Sequence, residues 1–141
     1  MGFFSSLVGL GESKQANINI KDEINIMEAI NAHVQWKIRI ESYLHGTSEE
    51  NLDPKIICRD DQCKLGKWLH GPALKYFRDD DVGFKTLHDD HAQFHVIAAD
   101  VVTSVQAKNM AVAEVLMHGE YMRASRKVVR DLTQLSEQIS T

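Results

Sequence analysis

Residues 87–95 read Leu-His-Asp-Asp-His-Ala-Gln-Phe-His and contain three of the seven histidines in the chain. On a helix, His91 and His95 lie one turn apart on the same face, so both imidazoles can bind one metal ion. His88 lies on the same side of the helix, which makes His88 with His91 a second possible pair. His88 and His95 are about 10 Å apart along the helix axis, too far to share one ion easily. The stretch therefore predicts a helix that carries a metal site.

Apolar residues at helical spacing continue this face in both directions, which predicts that the histidines lie on a buried surface. A single histidine on such a face is more often a hydrogen-bonded core residue than a ligand. Two or three histidines in register favour a metal site. The apolar residues of the face are Phe84, Leu87, Phe94, Ala98, Val101, Val102 and Val105.

The composition is typical of a single globular domain, with 141 residues of which 43% are apolar and 26% are charged. A net charge of -4 without any basic run argues against a nucleic-acid-binding protein. No apolar run approaches the roughly 20 residues of a membrane span, and nothing resembles a secretory signal. The two cysteines, Cys58 and Cys63, do not make a disulfide framework. We therefore expect a cytoplasmic protein whose reduced thiols are available as ligands, with Cys58 as a small core residue.

Residues 1–17 are apolar and rich in glycine, and they are too short to span a bilayer. We expect a flexible leader here, with a segment that docks on a partner as the alternative, and no contact with a membrane. Residues 18–141 are expected to form one helical domain. No segment of it alternates as a β-strand does, so we predict an all-α fold, a four-helix bundle with a short helical connector that carries Cys63. The predicted helices are 22–44, 53–58, 63–71, 81–108 and 109–139.

The first long helix, 22–44, carries two apolar stripes, although a monomeric bundle needs only one. The first stripe consists of Ile26, Ile30, His33, Trp36, Ile40 and Leu44. The second consists of Ile24, Met27, Val34 and Ile38. The second stripe predicts a partner surface, and we expect a homodimer. The buried stripe predicted for the last helix is Val112, Val115, Leu116, Gly119, Met122, Val129, Leu132, Leu135 and Ile139.

Two further residues in apolar surroundings could complete a metal shell with the histidines of the opening stretch. They are His33 on the first long helix and Cys63 in the connector. One thiolate and three imidazoles fill a tetrahedral zinc shell. Nitrogen and sulfur donors suit Zn²⁺ better than Mg²⁺ or Ca²⁺, which prefer oxygen.

Three short motifs resemble the chemoreceptor zinc-binding (CZB) domain family. Residues 63–68 read Cys-Lys-Leu-Gly-Lys-Trp and resemble the C-x-L-G-x-W signature of that family. His33 with Trp36-Lys37 resembles its H-x-x-W-K segment, and residues 91–95 resemble its H-x-x-F-H segment. The resemblance covers roughly residues 27–105.

The resemblance implies that the zinc ligands are His33, Cys63, His91 and His95, which leaves His88 outside the set. Gly66 is then expected to let the connector backbone approach the long helix 81–108 closely. Packing around the site is the expected role of Trp36, Trp68, Phe94 and His88. The other histidines, His45, His70 and His118, are expected to be structural or solvated.

The resemblance also implies a function, because the family is known as a regulatory domain of bacterial chemoreceptors and diguanylate cyclases. It predicts a sensor of zinc or of oxidants such as hypochlorous acid, with Cys63 as the redox-reactive ligand. No coiled-coil signalling tip and no cyclase fits into the remaining residues. We therefore expect a stand-alone domain that acts by association with a signalling partner, such as a chemoreceptor or a diguanylate cyclase.

Three other functions compete with this interpretation. A zinc hydrolase would need H-E-x-x-H, but Ala92 follows His91 and four protein ligands leave no place for water, so we predict no enzyme. A hemerythrin-like di-iron protein needs bridging carboxylates, for which Glu114 and His118 are the only indication. A purely structural zinc module would hold the metal without responding to a stimulus.

Overall fold

The computed structural model describes residues 26–78 and 80–140, and all regular secondary structure within these two ranges is helical. This confirms the predicted all-α class. The elements are α1 (Ile26–Leu44), α2 (Pro54–Ile57), α3 (Lys64–Leu69), a 3-10 turn (Pro72–Lys75), α4 (Val82–Gln106), α5 (Met110–Leu116), a π-helical turn (Met117–Tyr121) and α6 (Met122–Ser140).

Three long helical stretches form the frame: α1, α4, and the continuous run of α5, the π-helical turn and α6. α4 packs against α1, α2, α5 and α6. None of the described helices is long and apolar enough to cross a membrane. The fourth long helix of the predicted bundle does not occur in the described ranges, so the four-helix count stays a prediction. The leader 1–17 and the predicted helix start at Asp22 lie outside the described residues.

The helix ends form at the residues that the sequence indicates. Gly46 has φ +74° and ends α1, where the N–H of Gly46 donates to the Tyr43 carbonyl at 3.2 Å. The Asp53 carboxylate accepts from the N–H of Lys55 at 2.9 Å and caps α2. The Asp81 carboxylate accepts from the N–H of Phe84 at 2.9 Å and caps α4. These caps set where the connector leaves and rejoins the long helices.

The core lies along α4, whose predicted apolar face is buried except for Val105, which is half-buried. The last helix differs from its predicted stripe, since Val112 and Val115 are exposed. The prediction followed the larger aliphatic side chains. It missed the true buried face, whose residues are spaced three or four apart and include alanine and tyrosine. The residues buried there are Ala113, Met117, Tyr121, Ala124, Val128, Asp131, Leu132 and Leu135.

The second stripe of α1 faces away from this core. Met27 is 68% exposed, Val34 45% and Ile38 51%, while His33 and Ile40 of the first stripe are buried. Ile24 lies outside the described residues. An apolar strip on α1 is thus left uncovered by the other residues that the structure describes.

Gly66, in α3, permits a close approach of two backbone segments, but the predicted partner was wrong. A Cβ atom added to Gly66 would lie 1.6 Å from the carbonyl oxygen of Asp60 and 3.1 Å from the Cα of Asp61. The segment that needs the glycine is therefore the turn just before α3, and not the long helix α4. The absence of a side chain lets α3 fold back on its own preceding turn.

We expect Gly66→Ala to lower the free energy of unfolding by about 1–3 kcal/mol or more, because rigid backbone must move to admit the methyl group. Gly83→Ala is the matched control, since a Cβ there meets only side-chain oxygens, the nearer at 3.5 Å. It should be neutral or stabilise by up to about 1 kcal/mol, because alanine is the better helix former. Urea unfolding measures both, and equal stabilities of the two variants would contradict the packing described.

Candidate metal centre

Four potential ligands converge from three parts of the fold. α1 supplies His33, the residue before α3 is Cys63, and α4 supplies His91 and His95. The three histidines are buried and Cys63 is half-buried. Ligand nitrogens of the three histidines all lie within 4.8 Å of one another. His91 and His95, which were predicted from one helical turn, are thus joined by the imidazole of His33, which is distant in sequence.

Backbone hydrogen bonds fix the orientation of two of the imidazoles. Nδ1 of His33 donates to the carbonyl of Ala29 at 2.9 Å, and Nδ1 of His95 donates to the carbonyl of Ile57 at 2.8 Å. A carbonyl oxygen only accepts, so in each neutral ring Nδ1 carries the proton and Nε2 carries the lone pair. Nε2 of His33 is buried without a hydrogen-bond partner among the described residues. An unpartnered buried lone pair fits a metal ligand.

His91 lies between the other donors. Its Nε2 is 3.1 Å from Nε2 of His95 and 3.2 Å from Sγ of Cys63. A tetrahedral zinc shell has Zn–N bonds of about 2.0–2.1 Å and Zn–S bonds of about 2.3 Å, so its ligand atoms are roughly 3.3–3.6 Å apart. The observed separations are close to those values, and the donors are nitrogen and sulfur. The three imidazoles therefore fit a zinc site, with Sγ of Cys63 beside His91 but outside the group of mutually close histidine nitrogens.

Burial controls the protonation of this cluster. Burial lowers the pKa of all three histidines. For His91, burial and the nearby charges of His95 and His33 lower the pKa to about 2. The rings are therefore neutral at neutral pH, which is the form that binds a metal. Burial raises the pKa of the Cys63 thiol, against a hydrogen bond from the backbone N–H of Gly66 at 3.3 Å. A cation in the site would favour loss of that thiol proton.

The residues predicted to pack around the site lie in different places. The ring of Phe94 contacts His33 and His95, with centroids 5.0 and 5.4 Å away. Trp68 is buried against Phe77, with ring centroids 6.2 Å apart. Trp36 is half-buried and lies under the Arg39 guanidinium, and the His88 ring lies 4.9 Å from that of His70. Of the four, Phe94 is the one placed directly on the imidazoles.

The structure corrects the expectation for Cys58, which is exposed and not a core residue. Its thiol donates to the carbonyl of Lys55 at 3.3 Å. His118 and Glu114, the residues that suggested a di-iron site, are exposed and half-buried respectively, with Nδ1 of His118 3.8 Å from a Glu114 carboxylate oxygen. Neither Cys58 nor the pair of Glu114 and His118 contributes a donor to the buried cluster.

A second group of potential ligands was missed by the sequence analysis. It consists of Asp60, His70 and His88, whose ligand atoms also lie within 4.8 Å of one another. His70 was expected to be structural or solvated, and no periodic pattern connects it to His88. The approach of the two rings depends on how α3 packs against α4.

Comparison with known proteins adds one match. The family model described as the chemoreceptor zinc-binding domain matches residues 33–102. The match begins at His33 and includes all four candidate ligands. No curated protein and no solved structure matches the chain.

We expect alanine at His33, Cys63, His91 or His95 to weaken zinc binding more than about 100-fold, because loss of a ligand exceeds the 10–100-fold effect of losing its supporting hydrogen bond. Competition with a chromophoric chelator measures the affinity for zinc, and circular dichroism checks that each variant folds. His88→Ala is the control and should bind zinc at the buried cluster as tightly as the wild type does. Unchanged affinity in Cys63→Ala would show that the ligand set is wrong.

Proposed function

Because residues 33–102 are a chemoreceptor zinc-binding domain, a zinc-binding module of signalling proteins, we propose that His33, Cys63, His91 and His95 hold Zn²⁺ and that Cys63 is the ligand that responds to a stimulus. The observation that carries this proposal is a group of three buried, neutral imidazoles, one of which, that of His91, lies 3.2 Å from the half-buried thiol of Cys63. Bound Zn²⁺ would supply the positive charge that keeps Cys63 a thiolate.

The positions of the four donors support the proposal that Cys63 is the responsive one. The three histidines belong to long helices and are buried, so their displacement would disrupt the core. Cys63 is less buried and precedes a helix of six residues. An oxidant therefore reaches the sulfur more easily than any nitrogen of the cluster. A change at the sulfur can also be accommodated by the connector alone.

The chemistry of an oxidant signal follows from the thiolate. With hypochlorous acid the net step forms an S–O bond at Cys63, breaks the O–Cl bond and releases chloride, which leaves a sulfenic acid. A sulfenic acid is a weaker metal ligand than a thiolate. Oxidation would thus release the connector from the histidines of α1 and α4. Loss of zinc in a zinc-poor cell would release the same segment, which makes zinc availability the second candidate stimulus.

A regulatory role fits the donor set better than the alternatives. Four protein donors fill a tetrahedral shell and leave no position for a reactive water, which argues against a hydrolase. The buried cluster contains no carboxylate to bridge two iron ions. We further propose that the domain acts in the cytoplasm on a signalling protein, either a chemoreceptor or a diguanylate cyclase. A reducing compartment keeps Cys63 available as a ligand.

We also propose that the chain forms a homodimer through the second stripe of α1. Met27, Val34 and Ile38 are exposed along one face, and burying them against the same face of a second copy would remove apolar surface from water. Such a pairing is self-complementary, as a two-fold interface requires. It would place α1, which carries His33, next to the corresponding helix of the partner.

The dimer is tested with Ile38→Glu, which places a charge on the stripe and uses a good helix former. We expect sedimentation at tens of micromolar to show a dimer for the wild type and a shift toward monomer for the variant. Val115→Glu, at an exposed valine of α5, is the control and should sediment as the wild type does. A monomeric wild type would contradict the proposal.

The oxidant response is tested in Cys58→Ser protein, because the exposed thiol of Cys58 would compete for the reagent. One equivalent of hypochlorous acid should modify Cys63 first, release zinc, and increase hydrogen exchange in residues 58–71 while α4 stays protected. Mass spectrometry locates the adduct, and Cys63→Ser supplies the unreactive control.

Two results would change the assignment. If a methionine reacts while Cys63 stays reduced, the oxidant proposal is wrong, and a chelator that loosens residues 58–71 then identifies zinc availability as the stimulus. If neither oxidant nor chelator changes exchange in the connector, the domain is a structural zinc module.

A further inference from the structure

Asp60, His70 and His88 form a second cluster of metal-ligating side chains beside the buried one. We propose that they bind a second divalent transition-metal ion, of the class of Zn²⁺, in a site that faces solvent. Their ligand atoms lie within 4.8 Å of one another. They come from three separate places: the turn before α3, the residue that ends α3, and the second turn of α4.

The contacts within the cluster bring the donors together without filling their coordination. Nε2 of His70 lies 3.0 Å from Oδ2 of Asp60. The rings of His70 and His88 are 4.9 Å apart and inclined at 63°, so neither stacks flat on the other. Asp89 adds negative charge, with a carboxylate oxygen 3.6 Å from Nδ1 of His88. A cation between the two imidazoles and Asp60 would therefore meet favourable charge on two sides.

The chemistry of the donors distinguishes this site from the buried one. Two imidazoles and one carboxylate suit zinc and its neighbours in the transition series better than magnesium or calcium. Three protein ligands leave a tetrahedral ion at least one position for water. The side chains of Asp60, His70 and His88 are 23%, 38% and 37% exposed, and the two histidines line a surface cleft of about 340 Å³. An ion can therefore enter and leave without any rearrangement of the core.

The two sites share the short helix α3. Cys63 precedes its first residue, and His70 follows its last. Asp60 also links the sites, because its carboxylate belongs to the outer cluster while its carbonyl oxygen lies 4.0 Å from Sγ of Cys63. On α4, His88 precedes His91 by about one turn. Metal in the outer site would thus attach the far end of α3 to α4 and steady the segment that carries Cys63.

The test is a zinc titration of the full chain after one equivalent of Zn²⁺ has filled the tight site. Isothermal titration calorimetry should show a second, weaker equivalent for the wild type. We expect His70→Ala and His88→Ala to lose that equivalent and to keep the tight one, and Asp60→Asn to weaken it. His118→Ala removes an exposed histidine elsewhere and is the matched control, with both equivalents retained.

Each outcome of the titration either supports or overturns the second metal site. Absence of a second equivalent in the wild type, or its persistence in both histidine variants, overturns the proposal. Loss of the tight equivalent in His70→Ala and His88→Ala would assign these residues to the buried site and also overturn it. The outer site does not depend on the sensory role. If His33→Ala kept the tight equivalent, that result would contradict the proposed function and leave the outer site unaffected.

Discussion

The structure depends on the burial of three imidazole rings against one another. Burial keeps His33, His91 and His95 neutral, and backbone carbonyls hold the protons of two of them on the side away from the cluster. The Nε2 lone pair of His33 then faces the cluster without a hydrogen-bond donor among the described residues, which is unfavourable unless a cation is present. The same burial makes the thiol of Cys63 hold its proton more tightly. One positive ion would thus satisfy the lone pair of His33 and favour the thiolate form of Cys63 at once.

This requirement explains the contrast between the long helices and the connector. The histidines occupy regular helices whose positions are set by a continuous core along α4. The sulfur comes from a segment of short helices, where Gly66 allows the chain to fold back on the turn at Asp60. The rigid part of the domain therefore presents nitrogen donors in a fixed arrangement, and the less regular part supplies the only thiolate. In the proposed function, the response to a stimulus and the stability of the fold would reside in different segments.

Local patterns in the sequence were sufficient to predict the described long helices and the ends at Gly46, Asp53 and Asp81, because caps and periodicity act within a few residues. They also placed His91 and His95 on one buried face. The remaining features depend on packing between distant segments. The sequence indicated that Gly66 permits a close approach but not to which segment, and it did not predict the exposure of Cys58. The approach of His70 to α4 could not be predicted either, since no local spacing encodes it.

The sulfur of Cys63 also occupies the position of a helix cap, where Ser, Thr, Asp or Asn usually stands, because it accepts the N–H of Gly66. A helix as short as α3 does not form by itself in water, so it depends on its cap and on tertiary packing. One atom therefore begins the helix and, in the proposed site, would also complete the metal shell. Serine in its place would preserve the cap and remove the proposed soft ligand, which would separate the two roles of a single sulfur.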